Sequence, residues 1–189
     1  MRSFVYVVGL GVMMCAASSV SIGQTVSHDA HVHGLAKLTL VAEADSITMQ
    51  LESPAMNIVG FEHAPKTKAQ LKAVEHALKK LNKPEALFTF KGGQCSFARA
   101  NVDSPFETHT AHKHHEHTDH HGEHEASEHR EFVAEYQANC KKIAELKTID
   151  FSLLKEFKGI ETLELQYIIS GQQGALNLTG SSSVLTLPN

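Results

Sequence analysis

Residues 37–52 read KLTLVAEADSITMQLE. Leu38 and Leu40 alternate with Lys37 and Thr39. After a break at Glu43, Ala44 and Asp45, the residues Ile47, Met49 and Leu51 alternate with Ser46, Thr48, Gln50 and Glu52. Successive strand side chains point to opposite faces, so period two in both runs gathers the apolar set on one side. The pattern predicts an antiparallel hairpin with one buried face.

Downstream, residues 54–65 (PAMNIVGFEHAP) break the alternation and read as an irregular connection. A helix is expected over about 66–82. Thr67 and Gln70 have capping-box spacing, Leu71, Val74, Leu78 and Leu81 make an apolar stripe, and Pro84 stops the run. His76 lies nearly opposite that stripe and should face solvent. Residues 87–90 suggest a short strand, with Gly92 and Gly93 turning before Cys95.

Alternation resumes at Phe132, Ala134 and Tyr136 on the way to Cys140. Residues 152–157 fit a short helix ended by Gly159. Leu163, Leu165, Tyr167 and Ile169 share a strand face; a turn at 171–174 leads to a strand at 175–179, and 184–187 adds another. The expected fold is α+β, largely antiparallel sheet with one main helix. The two halves loosely echo one another, which leaves two similar subdomains open as an arrangement.

Between the halves, residues 107–131 read ETHTAHKHHEHTDHHGEHEASEHRE. This stretch holds nine of the chain's 14 histidines: His109, His112, His114, His115, His117, His120, His121, His124 and His129. Seven carboxylates are interleaved, and the only apolar side chains are Ala111 and Ala126. Such a segment cannot build a core, so a disordered loop is expected. Imidazole and carboxylate donors without cysteine suit zinc, nickel, cobalt or copper(II). His117, His120, His121 and His124 would share one face of a helix, where neighbouring imidazoles can share an ion. Ordering the loop around metal costs roughly 1–2 kcal/mol per residue fixed. Several exchangeable ions are therefore expected rather than one tight centre. The opposing reading is a solvated polar linker.

Residues 1–23 read as a secretory signal peptide: Arg2, then an apolar run over 4–17, then Ser21-Ile22-Gly23, which places small residues, Ser21 and Gly23, at the positions a signal peptidase reads. The run is short for a retained membrane anchor. Cleavage before Gln24 leaves about 166 residues, one ordinary domain or two small ones. Removing Arg2 takes the formal charge from −4 to −5, and no basic patch points to nucleic acid.

With Cys15 in the leader, Cys95 and Cys140 remain, and a lone pair in an exported chain most often forms a disulfide. Such a bridge would close the insert at its base and contribute about 4 kcal/mol in the chain-entropy model. Two free thiols acting as soft ligands are the alternative. The mature N-terminus, residues 24–34, carries His28, Asp29, His31 and His33, readable as an auxiliary metal site or as a polar tail. His63 is a further candidate ligand, although a lone loop histidine is more often packed or hydrogen-bonded.

Residues 52–65, ESPAMNIVGFEHAP, strongly resemble the signature of the ZrgA-like, zinc-regulated, histidine-rich periplasmic proteins. The resemblance runs through the mature chain. It takes in a histidine-bearing N-terminus, a cysteine on each side of a histidine-rich insert, and a C-terminal strand pair around Tyr167 and Gly171. It implies an exported protein of a Gram-negative periplasm, made under zinc starvation, that binds Zn2+ and aids uptake alongside a zinc ABC importer and its substrate-binding protein. Insert histidines vary across such proteins, so only the segment carries over, not individual ligands.

The expected organisation is a signal peptide (1–23), a histidine-bearing tail (24–34), two halves of an α+β domain (35–106 and 132–189), and the insert (107–131). Copper or nickel handling is the nearest alternative function. A protein-interaction module with residues 54–65 as its contact is another. A metal-dependent hydrolase needs a pre-formed three-ligand site with an open position, and the chain has neither HExxH nor GxSxG. No enzymatic activity is expected.

Overall fold

The computed structural model describes residues 32–106 and 130–187. The expected hairpin is its centre. Strands β1 (Leu35–Glu43) and β2 (Ser46–Pro54) pair antiparallel with Leu38 opposite Leu51 and Leu40 opposite Met49. Their alternate residues Ala36, Leu38, Leu40, Ala42, Ile47, Met49 and Leu51 are buried, as period two requires. Lys37, Thr39, Thr48 and Gln50 face solvent.

Two longer-range pairings extend the hairpin. Strand β5 (Glu131–Cys140) runs antiparallel to β2, with Tyr136 opposite Met49 and Ala134 opposite Leu51. Strand β7 (Thr162–Ile169) runs parallel to β1, with Leu165 opposite Leu38. Strands β4 (Cys95–Asp103) and β8 (Gln172–Thr179) form the edges, giving a six-stranded sheet in the order β4-β5-β2-β1-β7-β8.

A second sheet, β3-β6-β9, joins Phe88–Lys91, Thr148–Phe151 and Val184–Thr186. Its Phe88 meets Tyr136 of the large sheet edge-on at 5.2 Å and Phe151 at 6.0 Å. Helix α2 (Lys68–Leu81) adds Val74, Ala77 and Leu81 to the core. The described residues also form three short α-helices, α1 (Ala55–Val59), α3 (Pro84–Leu87) and α4 (Leu153–Glu156), and a 3-10 turn at Ile143–Glu145. Tyr136 donates its hydroxyl hydrogen bond to Leu81 O at 3.0 Å, and burial pushes its phenol well above the usual range.

The α+β class with mainly antiparallel pairing holds. The two halves, however, do not form two subdomains. β5 from beyond the insert pairs with β2 from before it, and β6 pairs with β3 in the same way. Burying each sheet's apolar face needs strands from both sides, so the described residues make one unit.

The capping box is present, with the Thr67 side chain accepting from Gln70 N and the Gln70 side chain accepting from Thr67 N. Leu71 nevertheless leaves the expected stripe. It is exposed, and Ala77 takes the buried place together with Val74 and Leu81. His76 is exposed, as its position opposite the stripe requires.

Candidate metal centre

Residues 54–65 turn the chain from β2 into α2, and they are built around one buried amide. Asn57 sits in α1, and its Oδ1 accepts a hydrogen bond from Gly34 N–H at 2.7 Å. Its Nδ2 donates to Leu35 O at 2.8 Å and to Ser53 Oγ at 3.4 Å. An amide offers both a donor and an acceptor, so one side chain satisfies the backbone where β1 begins.

Gly34 is held from its other side as well. Its carbonyl accepts from Glu161 N at 2.8 Å and Thr162 N at 2.9 Å. It adopts φ +86°, a conformation that suits glycine. Gly159 packs against the main chain of the same residue: a Cβ there would lie 2.4 Å from the Asn57 backbone carbonyl oxygen. The corner is therefore packed from three directions.

This clamp fixes the last histidine of the N-terminal cluster. His33 Nε2–H donates to Glu62 Oε1 at 3.0 Å across 29 residues of sequence. Next to Glu62, the His63 ring stacks on Phe61 at 5.3 Å. His63 Nδ1–H donates to Ala64 O at 2.9 Å, and Nε2 accepts from Gln70 Nε2 at 3.4 Å. Both nitrogens of His63 are thus engaged, and a metal at Nε2 must displace the Gln70 amide.

The roots of the insert reach the same pole. Phe106 is buried 5.6 Å from Phe61 and 6.0 Å from Phe132, ring to ring. Arg130 donates from Nη1 to Pro105 O at 2.8 Å and lays its guanidinium over the Phe106 ring at 5.5 Å. Its carbonyl accepts from Ala55 N at 2.8 Å. Arg130 and Glu131, counted with the insert in the sequence, belong to the folded domain: Glu131 already stands in register with Pro54.

Cys95 and Cys140 are bridged, but the bridge does not sit at the base of the insert. The two residues pair at the far end of the β4–β5 hairpin, whereas Asp103 and Val133 pair at the insert end. Eight strand steps separate the ends, roughly 26 Å at about 3.3 Å per residue. Arg130 and Phe106 close the insert instead, and the disulfide pins the opposite end.

His28, His31 and the insert histidines His109, His112, His114, His115, His117, His120, His121, His124 and His129 lie outside the described residues. Of the expected ligands, the structure therefore places His33 and His63 only. Among the described residues, no group of three or more histidine, cysteine or carboxylate side chains converges to hold a metal. No helix among them is long and apolar enough to cross a membrane.

The sequence gives no signal that Glu62 meets His33, which lies 29 residues before it. Asn57 carried a signal: an amide in an otherwise apolar run, Ala55 to Val59, needs buried partners. Nothing in the spacing pointed to Arg130 as a root of the insert.

A comparison with curated proteins gives no match. A family model described as ZrgA family zinc uptake protein matches residues 30–187, and the chain belongs to that family.

Proposed function

We propose that the protein captures zinc through residues 107–131 and supports zinc uptake in the periplasm, after export directed by residues 1–23. The observation that carries this reading is nine histidines and seven carboxylates in one 25-residue insert. Its supports are the zinc uptake family to which the chain belongs and the rooting of the insert on a rigid domain.

Imidazole ligands on a solvated segment bind several ions loosely, because each bound ion must offset the entropy of ordering its ligands. Loose ligation suits capture and onward transfer. The recipient in this reading is the substrate-binding protein of a zinc ABC importer. His28, His31 and His33 add to the ligand supply in this reading, and His63 joins only by giving up its Gln70 hydrogen bond.

Copper(II) outranks zinc in intrinsic affinity for such donors. Zinc is preferred here through the family. Residues 54–65 fit a structural corner better than a contact surface, since Pro54, Ala55, Asn57 and Phe61 are buried. Hydrolysis is disfavoured because the sequence has neither HExxH nor GxSxG and the family is one of zinc uptake.

Calorimetric zinc titration of the exported, oxidised protein, with elemental analysis after dialysis, tests the reading. Several ions bound per chain at neutral pH support it; a chain that takes up no zinc contradicts it.

A further inference from the structure

We propose that His33 Nε2 and Glu62 Oε1 form a fixed two-ligand seat for a borderline divalent cation, on the folded domain and apart from the insert. The two atoms stand 3.0 Å apart on side chains that are 55% and 32% exposed, so an ion reaches both from solvent. Without metal, the proton on Nε2 bridges them. A tetrahedral zinc with both ligands at about 2.0–2.1 Å spaces them about 3.3–3.4 Å apart. When the ring proton moves to Nδ1 through solvent and the ion takes the freed Nε2 lone pair, the side chains need part by only a few tenths of an ångström.

The backbone beneath the pair is already ordered. His33 precedes Gly34, which is gripped by Asn57, Glu161 and Thr162. Glu62 follows Phe61, which is packed against Phe106. Binding here avoids most of the ordering cost, about 1–2 kcal/mol per residue, that the insert must meet. As an exposed ion pair the contact contributes little to stability. As a chelating pair it offers the nitrogen and oxygen donors that zinc, nickel, cobalt and copper(II) accept.

Two protein ligands leave the other coordination positions to water or to the ligands of a carrier. Such a seat exchanges its ion readily, as a transfer point between the insert and a recipient requires. The inference rests on reading the protein as a metal carrier, but not on the insert as its store.

The test uses the full-length, oxidised protein with 15N-labelled histidine, titrated with zinc chloride until no further imidazole signal changes. The His33 signals are assigned by their loss in His33→Gln. The expected result is that His33 Nε2 moves to a metal-bound shift. Glu62→Gln should then raise the zinc concentration needed to load His33 by about tenfold or more, leaving the insert histidines unchanged. Insert histidines that respond while His33 stays unperturbed overturn the seat alone. A His33 response that is equal in Glu62→Gln also overturns it. If no histidine responds, both the seat and the carrier reading fall.

Discussion

The Phe61 ring packs 5.6 Å from that of Phe106, so the residue before Glu62 and the last described residue ahead of the insert share one buried contact. The N-terminal histidine side, the corner at 54–65 and both roots of the insert therefore meet at one pole of the domain. Truncating Phe106 removes an aromatic wedged between Phe61 and Phe132 and leaves the Arg130 guanidinium without its ring. Phe106→Ala should cost about 3 kcal/mol in urea unfolding, within the range for buried phenylalanine. The zinc capacity should not change, because the insert ligands remain; a loss of capacity with the fold intact would show that the root shapes the ligand set.

The disulfide sits at the other end of the same hairpin and should behave as a stability element alone. Closing a loop over a sequence separation of 45 is worth about 4 kcal/mol in the chain-entropy model. Cys95→Ala with Cys140→Ala should lower stability by about that amount, read by denaturant unfolding. Zinc stoichiometry measured below the unfolding transition should match the oxidised protein.

Asn57 carries the corner. Asn57→Ala strips the partners from Gly34 N–H and Leu35 O, each costing about 1–3 kcal/mol when left unsatisfied. A total loss of about 2–6 kcal/mol is expected, together with faster amide exchange at Gly34. Asn57→Asp keeps the acceptor and loses the donor, so it should retain protection at Gly34 while freeing Leu35 O.

These contrasts also show what the sequence could carry. The β1–β2 hairpin was legible because Leu38 and Leu40 before the break at Glu43, Ala44 and Asp45, and Ile47, Met49 and Leu51 after it, alternate with polar residues, and all five are buried. Helix α2 was legible from Thr67 and Gln70. Strand β4 was not, because a register shift between Phe97 and Arg99 breaks its alternation, and its residues are only half-buried or exposed. Helix α1 was missed because five residues are too few to establish a helical period. The parallel pairing of β1 with β7 joins residues more than 120 positions apart, which no local pattern encodes. Of the proposed site, the histidine-rich insert stands out by composition, whereas the His33–Glu62 contact depends on the Asn57 hydrogen bonds that hold one segment against the other.

Metal loading should fall with acid. Neutral imidazole is the ligand, and an ordinary histidine gains its proton near pH 6.5. The proton competes with the metal on the acid side, so bound zinc should be retained above about pH 7 and released progressively between about pH 6.5 and 5. Dialysis against buffers across this range, followed by elemental analysis, reads the release. Retention of all zinc at pH 5 would point to carboxylate-dominated ligation.

The most direct test of the insert as the metal store compares the oxidised protein with a version whose residues 107–131 are replaced by a short Gly/Ser linker. Both are titrated with zinc by calorimetry and checked by elemental analysis. Loss of most bound zinc in the linker version, with at most a weak, exchangeable ion remaining, is the predicted result. Retention of the full complement would contradict it and move the store to the folded domain.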